Sequence, residues 1–274
     1  MLEKYLENVK EKCPLIHNIT NYVTVNDCAN ILLACGGSPI MADDINEVEE
    51  ITTICTGLNI NIGTLNERTI KSMFAAGKKA NELGHPVVLD PVGAGASTLR
   101  TDTAKKLLDE IKFTVIRGNI SEIKTLAIGQ GSTKGVDADV ADTVTEENLD
   151  KAVAFAKDFA RKTGSVIAIT GAIDIVADEH KAYAIRNGVP MMAKITGSGC
   201  MLSALTAAYV SANQENYLEA VVASLCVMGL AGQRALVTMI KNNSGNSGYR
   251  NYLIDEIYKL DGKALKEGAK YELR

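Results

Sequence analysis

The sequence predicts an α/β fold, a single domain over residues 1–274 in which helices pack on a central, mostly parallel sheet. Three observations predict it. From Gly57 onward, short apolar runs alternate with longer amphipathic ones, which is the βαβ rhythm of a parallel sheet. Two strongly apolar helices follow Gly197 and are suited to cover such a sheet. No repeat of fixed period and no Pro-rich or Gly/Ser linker divides the chain, and 46% hydrophobic residues in 274 suffice for one large core.

Taken in order, LNINIG reads as a strand and Asn66 to Leu83 as a helix. PVVLD, a helix near Thr101 to Ile111, and FTVIRG follow. The helices open with Asn or Thr, namely Asn66 with Glu67, Thr101 with Asp102, and Asn119 with Ser121. Gly84 and Gly164 fit helix stops. A helix from about Glu146 to Lys162 leads into the strand SVIAIT. IDIVAD and KAYAIR then read as two antiparallel strands, which makes one edge of the sheet mixed. The last helices are Ser198 to Ala212, Tyr217 to Met239, and a shorter one near Asn251 to Leu260. The glycine-rich stretch Gly129 to Asp142 lacks the spacing of a Walker A loop and reads as a surface loop or flap.

Composition narrows the function. A net charge of -4 and no Lys/Arg cluster interleaved with aromatics give no basic field for a polyanion, which argues against nucleic acid as a partner. The N-terminal residues MLEKYLENVKEK do not have the pattern of a secretory signal, and the longest apolar run, Ala220 to Gly232, is shorter than the roughly 20 residues of a spanning helix. A cytoplasmic protein with no membrane partner is expected. The six cysteines form no C-x-x-C pair and the three histidines stand apart from them, which argues against a zinc site or a disulfide framework. Cys28 and Cys35, inside NDCANILLACGG, read as small buried hydrophobes.

In an open α/β sheet, ligands bind beyond the carboxyl ends of the strands. Four such ends stand out: NIGT (61–64), DPVGAG (90–95), RGNISE (117–122) and ITG (169–171). DPVGAG sets a carboxylate, Asp90, before glycines that allow close approach of a ligand, which suits a Mg²⁺–phosphate; a tight turn merely capped by Asp90 is the alternative. RGNISE adds Arg117, whose planar fork suits phosphate oxygens, and Glu122, which suits a water of a metal shell. The segment ITGSGC (195–200) stands directly before a long apolar helix. Its backbone N–H groups and the helix dipole make an anion hole there, and the same dipole is expected to lower the pKa of the Cys200 thiol.

In these segments the chain resembles the hydroxyethylthiazole kinases of the ribokinase-like fold. PLIHNITNYV, GGSPIMA, NIGTL, DPVGAGAS, VIRGNISEI and ITGSGC occur in that family's order from Pro14 to about Ala208. The resemblance implies a ribokinase-like three-layer αβα domain that transfers a phosphoryl group from ATP, with Mg²⁺, to the hydroxyl of 5-(2-hydroxyethyl)-4-methylthiazole, for thiamine biosynthesis or salvage. It implies that Asn21, Val23, Met41 and Gly197 line the thiazole pocket beside Cys200. Arg117, Thr170 and Gly199 face the nucleotide, and Asp90 and Glu122 stand around Mg²⁺. It also implies a homotrimer with sites at subunit interfaces. Related kinases end the last motif with an aspartate that takes the proton of the attacking hydroxyl; here Cys200 stands in its place.

Four other readings compete. One is a kinase of hydroxymethylpyrimidine or pyridoxal. Another is a hydrolase using Cys200 as nucleophile with His17 as base. The remaining two are a non-catalytic nucleotide-binding protein and a dehydratase that repairs hydrated nicotinamide cofactors.

Overall fold

The computed structural model describes residues 2–128 and 143–274; the glycine-rich stretch 129–142 lies outside the described residues. In chain order the elements are α1 (Glu3–Lys12), β1 (Leu15–Ile19), α2 (Val25–Cys35), β2 (Ser38–Met41), α3 (Val48–Ile54), β3 (Gly57–Asn61), α4 (Glu67–Leu83), β4 (Val87–Asp90), α5 (Thr98–Glu110), β5 (Val115–Asn119) and α6 (Ile120–Ile128). Then come α7 (Leu149–Thr163), β6 (Val166–Thr170), β7 (Asp174–Ala177), β8 (Ala182–Ile185), a 3₁₀ turn (Pro190–Lys194), α8 (Ser198–Ala212), α9 (Tyr217–Lys241), α10 (Asn246–Lys259), α11 (Gly262–Gly268) and β9 (Tyr271–Leu273).

Among the described residues, the nine strands form one sheet in the order β2-β1-β3-β4-β5-β6-β7-β8-β9. The first six are mutually parallel, and β6 to β9 run antiparallel to one another, the mixed edge expected from IDIVAD and KAYAIR. Strand side chains alternate between two apolar faces, as period-2 geometry requires of a doubly covered sheet. In β6, Val166 and Ala168 join one core cluster and Ile167 and Ile169 the other. The first cluster is closed by α1, α2, α8, α9, α10 and α11, and the second by α4, α5, α6 and α7, so the layers are helix, sheet, helix.

Several boundaries differ from the sequence reading for local reasons. Helix α5 begins at Thr98, one turn before the expected Thr101, because Ser97 Oγ accepts the Arg100 N–H as the cap. Thr101 looks like a cap because its hydroxyl accepts the Gly95 N–H. Helix α10 starts at Asn246, earlier than the expected Asn251. Gly84 and Gly164 do stop α4 and α7, with φ of 69° and 68°. Helix α9 runs 25 residues, long and apolar enough by length and composition to cross a bilayer, but most of it is buried in the first core.

The fold places the site through α8. This helix lies across β1, β3 and β4, with its N-terminus beside the carboxyl ends of the strands. Close approach depends on Gly57 at the start of β3, where an added Cβ would overlap Ser211 Oγ of α8. We expect Gly57→Ala to lower stability by about 1–3 kcal/mol through overpacking. Ser211→Ala in the same chain should recover part of that loss. Urea unfolding reads both, and an unchanged midpoint for Gly57→Ala would show that this contact does not hold α8 to the sheet.

Candidate active site

Strand β4 carries Val87, Val88 and Leu89 into the core and ends on Asp90, whose side chain is fully buried. A buried carboxylate persists only with donors around it. Asp90 Oδ2 accepts from Ser203 Oγ at 2.7 Å, from Asn61 Nδ2 at 2.8 Å and from Arg117 Nη1 at 3.4 Å. Its other oxygen, Oδ1, has no hydrogen-bond partner among the described residues. Burial raises the Asp90 pKa, with Arg117, Ser203 and Asn61 acting against that rise. Arg117, from β5, also donates through Nη2 to Thr170 Oγ1 of β6 at 2.8 Å. A Cβ on Gly199 would stand 2.8 Å from Arg117 Nη1, so the guanidinium lies against the first turn of α8. Asp90, Arg117, Thr170 and Gly199, expected around the nucleotide and metal, are therefore brought together by four different elements.

Glu122 does different work from the others. Its Oε1 accepts the Gly93 N–H and its Oε2 the Asn119 N–H, each at 2.8 Å, so it ties the loop after β4 to the start of α6. Asn119 in turn accepts the Glu122 N–H at 2.9 Å, a reciprocal cap. Arg100 ties the same loop to the one after β3, donating to Val92 O at 3.2 Å and Gly63 O at 2.7 Å.

On the other side of Asp90, Asn21 Nδ2 donates to Cys200 Sγ at 3.1 Å and to Asn61 Oδ1 at 3.0 Å. Thr24 Oγ1 donates to Asn21 Oδ1 at 3.0 Å. Gly197 precedes α8 with φ of 83°, and a Cβ there would press on Thr24, so glycine is required on both counts. Asn21, Gly197 and Cys200 thus meet as expected. Met41 ends the edge strand β2, in register with Asn18 of β1, and Val23 is 54% exposed in the turn before α2. Val23 is two residues from Asn21 in the chain, and Met41 lies at the carboxyl end of β2, beside that of β1.

Two expectations need correction. The Cys200 pKa is raised, not lowered: burial is the main cause, followed by the nearby Asp90 carboxylate, against which hydrogen bonds with Thr24, Asn21 and Asn61 act in the opposite direction. Desolvation prevails at a thiol only 8% exposed. His17 is also no base for Cys200. It is buried in β1, with Nδ1 bonded to Thr52 Oγ1 and Nε2 to Ala42 O, each at 2.9 Å, which removes the structural basis of a cysteine-hydrolase dyad.

Beside Arg117 and Gly199 opens a cavity of about 540 Å³. Its lining includes the polar residues Arg117, Thr170, Asp174, Asn187 and Ser198 and the apolar residues Pro190, Met192, Leu225 and Met228. The sequence reading missed Ser203, Asn61 and this apolar wall. Ser203 is three residues after Cys200 on a helix whose start was recognised, so its face was legible. Asn61 opens the NIGT strand end but received no role. Leu225 and Met228 belong to the interior of α9, and nothing local distinguishes them from core residues.

Residues 6–263 match the model of the hydroxyethylthiazole kinase family. A relative from Clostridium acetobutylicum named hydroxyethylthiazole kinase is 69% identical over 272 residues, covering 99% of each chain. The solved structure of hydroxyethylthiazole kinase protein from Pyrococcus horikoshii OT3 superposes with a TM-score of 0.88 at 34% identity, over 100% of this chain and 98% of that one. A pyridoxal kinase from Staphylococcus aureus in complex with ADP shares the fold, at 16% identity and a TM-score of 0.56, over 79% of this chain and 86% of that one. A family match over nearly the whole chain, agreeing with a buried Asp90–Arg117 centre and a thiol at the start of α8, leads to one assignment: the chain belongs to the hydroxyethylthiazole kinase family.

Proposed function

We propose that this chain is a single-domain kinase that transfers the γ-phosphoryl group of ATP to the hydroxyl of 5-(2-hydroxyethyl)-4-methylthiazole, giving its phosphate and ADP, in thiamine biosynthesis or salvage. The observation that carries the reading is the junction at Asp90. Its buried carboxylate connects Arg117, which lines the cavity on one side, with the Asn21–Cys200 pair on the other. Phosphoryl transfer needs little covalent chemistry from the protein; it needs the two substrates aligned and the developing charge neutralised.

In this reading the apolar lining of the cavity takes the purine ring, and Arg117, Thr170 and the N–H groups at the start of α8 face the phosphates. The acceptor lies between Met41, Val23, Asn21 and Gly197, with its hydroxyl at Cys200. A divalent cation fits this centre because Asp90 Oδ1 is a buried carboxylate oxygen without a hydrogen-bond partner among the described residues. Asp90 would hold Mg²⁺, and Glu122, whose oxygens already accept two backbone N–H groups, would hold its waters. When bound, Mg²⁺ supplies neutralisation of phosphate charge. Because burial raises its pKa, Cys200 rests as the neutral thiol; its sulfur accepts the acceptor's O–H and turns the oxygen toward the phosphoryl group.

A homotrimer with sites at subunit interfaces is part of the same reading. It is supported by apolar surface at the acceptor margin, with Tyr22 78% and Val23 54% exposed. A cytoplasmic location is proposed with it, as are no membrane and no nucleic-acid partner.

The direct test is coupled-enzyme detection of ADP with the thiazole alcohol, pyridoxal and hydroxymethylpyrimidine offered in parallel. We expect turnover with the thiazole alcohol to exceed the others by more than about tenfold, a difference of ~1.4 kcal/mol in transition-state binding. Preference for either of the other alcohols would redirect the assignment. Arg117→Ala removes both a phosphate donor and the counter-charge of Asp90, so ATP affinity measured by calorimetry should fall roughly tenfold or more while thiazole affinity holds. Equal losses for both ligands would displace Arg117 from the nucleotide side. Cys200→Ser should reduce kcat by less than the ~10²–10⁴ of proton-transfer assistance, because a neutral thiol orients the hydroxyl and takes no proton, with ATP affinity unchanged, and Cys200→Asp should retain activity. A phosphoryl-thiol adduct on the wild-type protein, seen by intact mass, would instead make Cys200 a nucleophile.

A further inference from the structure

The strand end NIGT has no part in the reaction described so far, yet Asn61 lies between its two halves. We infer that Asn61 is a positioning residue that sets the direction of the hydrogen bonds at the acceptor side, so that Asn21 presents an N–H, and not its oxygen, to the Cys200 sulfur. The inference rests on the proposed placing of the acceptor hydroxyl at Cys200.

The direction follows from one backbone group. An amide side chain has a donor end and an acceptor end that are nearly alike in shape, so its orientation is fixed by its partners. The Gly63 N–H can only donate, and it lies 2.9 Å from Asn61 Oδ1. That end of Asn61 must therefore be the oxygen. The opposite end is the NH₂, and it meets Asp90 Oδ2 at 2.8 Å, the acceptor it needs. The Asn61 oxygen has room for a second donor, which Asn21 Nδ2 supplies at 3.0 Å. Asn21 is thereby fixed in turn, with its oxygen toward the Thr24 hydroxyl at 3.0 Å and its second N–H toward Cys200 Sγ at 3.1 Å. Asn61 and Asn21 are buried, at 1% and 5% exposure, so water does not offer an alternative set of partners. The absence of a side chain on Gly63 leaves the room this pair needs, because a Cβ there would stand 2.9 Å from Asn21 Nδ2.

The consequence for the reaction is that Asn21 turns a donor, and not an acceptor, toward the sulfur that meets the acceptor O–H. Without Asn61, the Asn21 amide is free to reverse, and its oxygen would then face the sulfur and the incoming hydroxyl. Asn61 would thus link the charge state of the Asp90 side to the geometry of the acceptor side without touching either substrate.

The test compares Asn61→Ala, Asn21→Ala and the double variant, with folding checked by circular dichroism and Asn61→Ser used for the same measurements if the alanine variant does not fold. Two quantities are read on each: steady-state kinetics, and the rate at which iodoacetamide labels Cys200 at pH 8, followed by peptide mass spectrometry. We expect Asn61→Ala to lower kcat and the labelling rate by roughly tenfold each, the effect of one hydrogen bond to the sulfur, with KM for ATP within about twofold of wild type. Because both residues act through one bond, the double variant should label no slower than Asn21→Ala alone. An unchanged Cys200 labelling rate in Asn61→Ala, or a double variant slowed by the product of the two single effects, would overturn the inference. Labelling needs no turnover, so a wild-type protein inactive toward the thiazole alcohol would refute the proposed function while leaving this result readable.

Discussion

The organisation of the site depends on one buried charge. Asp90 ends a strand with its carboxylate wholly removed from water, and a carboxylate in that position is tolerated only when donors and a cation surround it. Arg117, Asn61 and Ser203 meet that need, and each comes from a different element: β5, β3 and α8. The requirement thus pins three elements to the tip of β4. The same side chains then carry the order outward, Arg117 to Thr170 and Asn61 to Asn21 and Cys200. Much of the site is in this sense the solvation shell that the protein builds around one aspartate, with Asp90 Oδ1 the one oxygen left for something else.

The loops around this centre are held by residues that need not touch a substrate. Glu122 and Arg100 spend their hydrogen bonds on the backbone, joining the turns after β3, β4 and β5 into one unit. A loop built from glycines has little stiffness of its own, since Gly residues lose the most conformational freedom on ordering. Side chains reaching in from neighbouring elements supply the stiffness instead.

Most of the parallel half of the sheet was legible in the sequence. PVVLD and SVIAIT are apolar runs bounded by polar or glycine residues, and the caps at Asn66, Asn119, Gly84 and Gly164 are local signals. The N-terminal β1 and β2 were quoted for their motif content and given no secondary structure; they are short, and β1 carries His17 and Asn18 among its buried residues, which breaks the apolar pattern. The clustered strand ends were legible because polar residues and glycines at strand tips are unusual. What the sequence could not convey was desolvation. The Cys200 pKa is raised because α8 buries the sulfur beside Asp90, a fact about residues more than a hundred positions apart. The apolar cavity wall was hidden for a similar reason, since Leu225 and Met228 lie inside a helix that is apolar on nearly every side.

That wall has a consequence for redesign. One side of the cavity is the core helix α9 itself, where a Cβ on Gly229 would press into the backbone of Asn187 and Gly188 and one on Gly232 would meet Met192. Widening the cavity from that side means repacking the first core, where any lost volume is felt throughout the close-packed layer. The opposite side is the 3₁₀ turn Pro190–Lys194, none of whose residues is buried. Engineered tolerance of a larger ligand in this cavity should therefore be sought in libraries over that turn, leaving the helix as a fixed template against which the new shape is cut.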